Sequence, residues 1–256
     1  MESIEIKSVS EYLALIQTFE QQHIAQWFFR GQEDERFDLV PSLFRIDIKN
    51  TFTNWKDLEE YMLKFFLREA KPFSEFDQND IIELTSLAQH HGLPTRLLDW
   101  TTNPLVALFF AVEKYDSDAE NSAIWCYGFP STHNCHPVST RIDRRLTLEK
   151  SNTIIFPNHI SSRITNQSGC FTFHDLPNNR DEFIPFNKQE NIFGILDLIV
   201  INKTNRKEIL DQLYDLGYHH GLIYPGLDGL AKRIKYEAST THNRFTNERQ
   251  LKRYLK

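Results

Sequence analysis

Several things this chain lacks narrow what it can be. No stretch approaches the roughly 20 consecutive apolar residues that a membrane-crossing helix needs, so no membrane partner is expected. There are three cysteines, Cys126, Cys135 and Cys170. The odd count and the absence of CxxC spacing argue against a disulfide framework and against a zinc site, and free thiols fit a reducing cytoplasm. The first residues (MESIEIKSVSEYLALIQ) carry early acidic side chains and no apolar run long enough for a signal peptide. The expectation is therefore a cytoplasmic protein. The glycine loops that cradle phosphates are missing, both GxxxxGK followed by Ser or Thr and GxGxxG. HExxH and the GxSxG nucleophile elbow are also missing. His90 and His91 are adjacent, with no ligand cluster near them, so no metal is expected.

What remains is an ordinary globular composition: 256 residues, 40% hydrophobic and 25% charged, enough for a sizeable core. The 20 phenylalanines predict that this core is aromatic. A net charge of -6 gives no global attraction to nucleic acid. A local basic patch at Arg244, Arg249, Lys252, Arg253 and Lys256 is one reading of the last residues, and a solvated helix face is the other.

Ser8 precedes an amphipathic run that reads as a capped helix, and WFFRGQ (27–32) reads as a short buried strand. LVPSLFR (39–45) looks extended at its proline. Residues 55–66 are helical, with Leu58, Tyr61, Met62, Phe65 and Phe66 on one face. Asp80 is a candidate cap for a helix that Gly92 ends. RLLDW (96–100) reads as a strand. Thr101, Thr102 or Asn103 then caps a helix with Pro104 in its first turn. Residues 123–127, 169–174 and 196–201 read as strands, 206–216 as a helix, and 222–224 as an apolar stretch ending in the turn PGLDG, after which residues 227–234 form a short helix. Residues 129–163 look loop-rich, and 176–189 like a polar, exposed excursion. Strands mixed irregularly with helices point to α+β or mixed α/β architecture rather than a doubly wound sheet.

Polar residues gather beside apolar strands in four places. Arg30 ends a buried strand, where its planar fork of donors suits a phosphate or carboxylate, or an internal ion pair. Residues 89–101 hold Gln89, His90, Thr95, Arg96 and Asp99 between apolar neighbours, which calls for a hydrogen-bonded network that lines or braces a cavity. Within it, Arg96 and Asp99 are a candidate structural ion pair. In the third place, Gln167, Thr172 and His174 surround a strand that points Thr172 and His174 to one face. The fourth, residues 225–229, reads as a turn. Cys170 lies inside an apolar strand and reads as an inert thiol rather than a nucleophile.

These residues resemble the FRG domain family, which takes its name from a Phe-Arg-Gly motif, here Phe29, Arg30 and Gly31. Further matches are LVPSLFR, QHHGLPTRLLDWTTNPLVALFFA (89–111), QSGCFTFH (167–174) and PGLDGLAK (225–232). The resemblance implies a single domain over 1–256, with a motif-bearing core at about 27–232 and a helical or flexible extension at 233–256. A more remote similarity is to ADP-ribosyltransferases of the Arg-Ser-Glu type: an arginine ending a first strand, then a strand and helix that DWTTNPLVALFFA would supply. It implies an α+β fold with a mixed, mainly antiparallel central sheet flanked by helices, and NAD as substrate, with a protein or nucleic acid as acceptor. Arg30 would grip the phosphates. Gln32, His90, Thr95, Arg96 and Asn103 would line the site, Asp99 and Thr101 would orient the ribose, and Gln167 and His174 would meet the reacting carbon. The family's ExE pair falls at Gln167-Ser168-Gly169, which has no carboxylate, so Asp99 becomes the candidate stabiliser of an oxocarbenium-like state. Two other readings stand beside a transferase or NAD glycohydrolase. One is a non-catalytic module sensing nucleotides or nucleic-acid ends. The other is a nuclease or toxin effector in bacterial defence, against which counts the lack of clustered metal-binding carboxylates.

Overall fold

A computed structural model describes residues 3–19, 24–48, 52–73, 81–130, 153–157, 162–178, 181–192 and 194–240. Asp80, Cys135 and the basic residues of the C-terminal stretch lie outside them.

The strands are β1 (Ile4–Glu5), β2 (Ile24–Gln32), β3 (Leu97–Thr101), β4 (Asn121–Pro130), β5 (Thr153–Ile155), β6 (Gly169–Phe173) and β7 (Ile195–Asn202). They form one sheet in the order β1-β7-β4-β2-β3-β6-β5. Only the β1–β7 pairing is parallel. The mixed, mainly antiparallel sheet flanked by helices is therefore what the chain forms. The helices are α1 (Val9–Phe19), α2 (Trp55–Ala70), α3 (Ile81–His90), α4 (Pro104–Val112), α5 (Ser162–Asn166), α6 (Lys203–Asp215), α7 (His220–Ile223) and α8 (Leu227–Ser239).

Strand alternation sorts the core into two layers. Phe29, Ile124, Cys126, Ile199 and Ile201 face α1, α4, α6, α7 and α8. Phe28, Leu98, Trp100, Trp125, Tyr127 and Leu196 face the opposite way, against Leu39, Ile154 and Phe186. Aromatic rings fill both layers, as the phenylalanine content predicted; in the second, Trp100, Tyr127 and Phe186 meet edge-on or tilted at 5.1 to 6.1 Å between ring centroids.

Helix α4 begins where local chemistry dictates. The Asn103 side chain accepts hydrogen bonds from the Leu105 and Val106 amides, and Pro104 occupies the first turn. Its seat on the sheet depends on Gly31. A Cβ there would lie 2.0 Å from the Ala107 carbonyl oxygen and 2.6 Å from the Ala111 nitrogen. Ala107 and Ala111 are four residues apart and share a face, so the Gly31 backbone of β2 rests directly on the backbone of α4.

Pro41 is extended, as expected, and residues Ser42–Arg45 form a 3-10 turn directly after it. Two local expectations are corrected. Helix α2 buries Trp55, Leu58, Glu59 and Leu63, whereas Tyr61 and Phe65 of the expected face are exposed. Its two contact partners, the Leu43 turn and helix α3, set the buried stripe. The stretch 176–189 is not simply an exposed excursion, because Phe183 and Phe186 are buried in it and Phe186 packs on Trp100 and Tyr127. The apolar residues Leu222 and Ile223 belong to the short helix α7.

Replacing Gly31 with alanine is expected to destabilise the protein by about 3 kcal/mol or more, since backbone must move to admit one methyl group. Gly92 has φ of +88° but open space around it, so Gly92→Ala is expected to cost only about 1 kcal/mol of backbone strain. Urea unfolding of both variants measures the difference. Equal midpoints would contradict the direct seat of α4 on β2.

Candidate functional site

Strands β2 and β3 are paired at a single position, Phe29 opposite Thr101. Beyond it β2 follows β4 to Gln32, while β3 follows β6 back to Leu97. The sheet is parted at this place, and Arg30 spans the parting. Its Nη1 donates to the backbone oxygen of Asp99 at 2.8 Å, where a continued ladder would have supplied an amide. The Asp99 carboxylate lies 3.7 Å away. Burial pushes the Arg30 pKa down, the Asp99 carboxylate opposes this and Arg45 reinforces it; a guanidinium remains charged in any case. The Nε of Arg30 is buried without a partner. Its Nη2 makes no hydrogen bond among the described residues, and Arg30 lines the cavities that open beside it.

A cavity of about 420 Å3 opens over this parting, on the helix side of the sheet. It is bounded by Ser86, Gln89 and His90 of α3, Asp99 and Thr101 of β3, Phe110 of α4, Arg163 and Gln167 around α5, and Phe171 of β6. A smaller cavity of about 220 Å3 adjoins Arg30, Arg45, Gln89 and Asp99. Three guanidiniums, Arg30, Arg45 and Arg163, thus face one carboxylate, Asp99, in a chain that is acidic overall. Burial, with His91 and Arg163 adding to it, pushes the pKa of His90 down, so its ring is neutral at pH 7.

Gln89 ties the wall together. Its amide nitrogen donates to Asp99 Oδ1 at 2.7 Å, and its oxygen accepts from the Thr95 hydroxyl. Thr95 is buried and accepts in turn from the Leu97 amide at 3.2 Å. The expected ion pair of Arg96 with Asp99 does not form. Arg96 instead makes a two-pronged pair with Glu59 of α2 and lies over the Phe173 ring. Arg96 precedes β3 and its guanidinium is taken by Glu59, which leaves Asp99 to Gln89 and Arg30. Arg96 and Thr95 brace the wall and do not line the larger cavity.

The remaining expected site residues divide. Thr101 and Gln167 line the cavity. The Thr101 hydroxyl donates to the Gln167 backbone oxygen at 2.6 Å, and the Gln167 amide donates to the Ile223 carbonyl at 3.0 Å, which ties α5 to α7. Asn103 is used in capping α4 and in a bond to Tyr218. Gln32 is buried and accepts from Trp125 Nε1 at 2.9 Å. His174 lies on the far layer: its Nε2 is 2.8 Å from the Thr172 hydroxyl, which also accepts from Trp100 Nε1, and its ring packs on Phe183 and Phe186. It is fully buried and away from the cavity. Cys170 borders the cavity, but burial raises its thiol pKa far above neutrality, so no thiolate forms there. Gln89 makes the hydrogen-bonded network that the sequence calls for, whereas the lining residues Ser86 and Arg163 carry no role in the sequence reading and only the fold shows that they face the cleft.

Among the described residues, no group of three or more His, Cys, Asp or Glu is placed to hold a metal ion, and no helix is long and apolar enough to cross a membrane.

The FRG domain model matches residues 25–120, which run from β2 through α4 and contain Arg30, Gly31, Gln89, Asp99 and Thr101. The chain therefore carries an FRG domain over this span. No curated protein and no solved structure matches the chain.

Two outcomes are expected from this arrangement. Glu59→Gln, which leaves the part-buried Arg96 guanidinium without its carboxylate, should lower stability by about 3 kcal/mol. Asp99→Asn should cost well under 1 kcal/mol, because that side chain is 63% exposed. Urea unfolding separates the two, and the reverse order would restore the Arg96–Asp99 pairing. The second concerns pH. Burial lowers the pKa of His174 to about 3 and that of His220 to about 4, both below the unfolded value near 6.5. Their stabilising contribution is complete above pH 6.5 and is lost as pH falls through the window between 6.5 and the folded values. Stability should drop by about 4 kcal/mol between pH 7 and pH 5, roughly half from each imidazole, and by about half as much in His174→Gln. An unfolding midpoint that stays flat over that range in the parent protein would contradict buried neutral imidazoles.

Proposed function

We propose that the cleft binds a phosphate-bearing nucleotide of the NAD and ADP-ribose class, with Arg30 as the anion anchor. The observation that carries this reading is the open Nη2 edge of Arg30 over a cavity where guanidiniums outnumber carboxylates. A guanidinium held by its neighbours on one side and free on the other is pre-organised to take a phosphate. The cavity volume falls in the range that encloses small ligands, and its walls combine apolar faces from Phe29, Phe110 and Phe171 with polar groups from Gln89, Thr101 and Arg163. Arg163 lies over the Tyr224 ring, with its centre 5.2 Å from the ring centroid, and makes no ion pair among the described residues, which leaves its charge for a ligand.

Turnover would require a carboxylate beside the reacting carbon. Asp99 is the carboxylate lining the cavity of about 420 Å3 that could serve, held by Gln89 and Arg30 yet exposed. Gln167 has its amide committed to the backbone, Gly169 has no side chain, and His174 lies on the opposite layer. The lack of a carboxylate at positions 167–169 favours a second reading, a module that binds the nucleotide without cleaving it.

Calorimetric titration with ADP-ribose and NAD, paired with an assay of nicotinamide release, separates these outcomes. Binding of ADP-ribose is expected, and Arg30→Ala should weaken it on the order of a hundredfold while the far-ultraviolet circular dichroism keeps its folded form. Arg30→Lys should recover only part of the loss, since an ammonium lacks the planar fork. Release of nicotinamide that disappears in Asp99→Asn would establish the enzyme reading; binding without release leaves the sensor. Absence of binding by the parent protein would overturn both.

A further inference from the structure

The cleft has a second side. A cavity of about 530 Å3 shares Arg30, Gly31 and Phe110 with the first and continues past them to Glu113. Most charged side chains around it are already committed. Lys114 pairs with Glu33 at 2.8 Å, Asp38 with Lys188 at 2.6 Å and Arg36 with Asp34 at 2.6 Å, and Arg45 donates twice to the Val40 carbonyl. Glu113 makes no ion pair among the described residues, and beside it Arg30 keeps its open edge.

Glu113 is an awkward residue to keep for stability alone. It caps the C-terminal end of α4, where the helix dipole disfavours a negative charge. It is half-buried, and burial pushes its pKa up. The Tyr224 hydroxyl donates to both of its oxygens, at 2.9 and 2.8 Å. Lys232 and Arg163 both lie over that tyrosine ring and Phe110 meets it edge-on, so the carboxylate is held in place. A carboxylate has about four acceptor positions, and one donor leaves most of them open toward the cavity.

We infer that this second cavity is the subsite for the vicinal diol of a sugar, whose hydroxyls donate to the Glu113 carboxylate while a phosphate of the same ligand rests on Arg30. Arg30 lines both cavities, so one anionic group on it can carry substituents to either side. The inference rests on the nucleotide reading of the cleft, and deepens it by naming which part of the ligand goes where and which carboxylate receives it.

The test is the affinity of the full chain for ADP-ribose in Glu113→Gln. The charge change alone would tighten binding of an anion, because it removes a negative group near the diphosphate. Loss of hydrogen bonds to a carboxylate should instead weaken it about tenfold or more. Weaker binding with an unchanged melting temperature supports the subsite; equal or tighter binding overturns it. If Glu113→Gln melts early, Tyr224→Phe decides, since it removes the hydroxyl that holds the carboxylate and keeps the ring. Several-fold weaker ADP-ribose binding is then expected, and unchanged affinity rejects the proposal. The two readings fail separately. Parent protein that does not bind ADP-ribose rejects the nucleotide cleft, and with it this subsite. Binding that depends on Arg30 and is indifferent to Glu113 and Tyr224 rejects the subsite alone.

Discussion

One constraint organises this molecule: β2 and β3 are neighbours in the sheet but are paired at one residue only. Backbone groups freed by such a parting must find other partners, and Arg30 provides one, its guanidinium donating to the Asp99 carbonyl where a strand amide would have stood. The arginine is thereby fixed by the fold's own hydrogen-bond accounting. Its remaining edge faces a cavity, so a structural repair and an anion-binding group are the same side chain.

The surroundings hold that arrangement in place. Gly31, next in sequence, lets the backbone of α4 rest on β2, which brings Phe110 and Glu113 to the cleft. On the other wall, Gln89 links α3 to Asp99 and Thr95, and the Glu59–Arg96 pair ties α2 to the start of β3. Each of these ties one element to another, and together they keep the two sides of the parting at a set distance. The Phe-Arg-Gly triplet thus has a physical reading at each position: a core phenylalanine, an arginine across the gap, and a glycine under the helix.

Much of this was legible in the sequence where the cause is local. Asn103 followed by Pro104 signals a helix start because capping acts within three residues. The strand carrying Arg30 was legible from its aromatic run, and the mixed sheet from the irregular alternation of elements. What is not local was not legible. The partner of Arg96 lies 37 residues away on α2, and sequence offered only the nearer Asp99. Period-two alternation correctly placed Thr172 with His174, but not which layer they enter. Register decides that: Asp99 lies opposite Phe171, so the cleft opens on the Phe171 face and His174 goes to the aromatic core behind it. Glu113 escaped notice for the same reason, since it follows an apolar helix as one charge among several and acquires meaning only when Tyr224, 111 residues on, closes over it.

The central claim is that the free edge of Arg30 receives a phosphate. A crystal structure of the chain with ADP-ribose bound tests it most directly. The expected result is a phosphate oxygen within about 3 Å of Arg30 Nη2, with Nη1 still on the Asp99 carbonyl. Ligand bound elsewhere, with the Arg30 edge facing only water, would contradict the account.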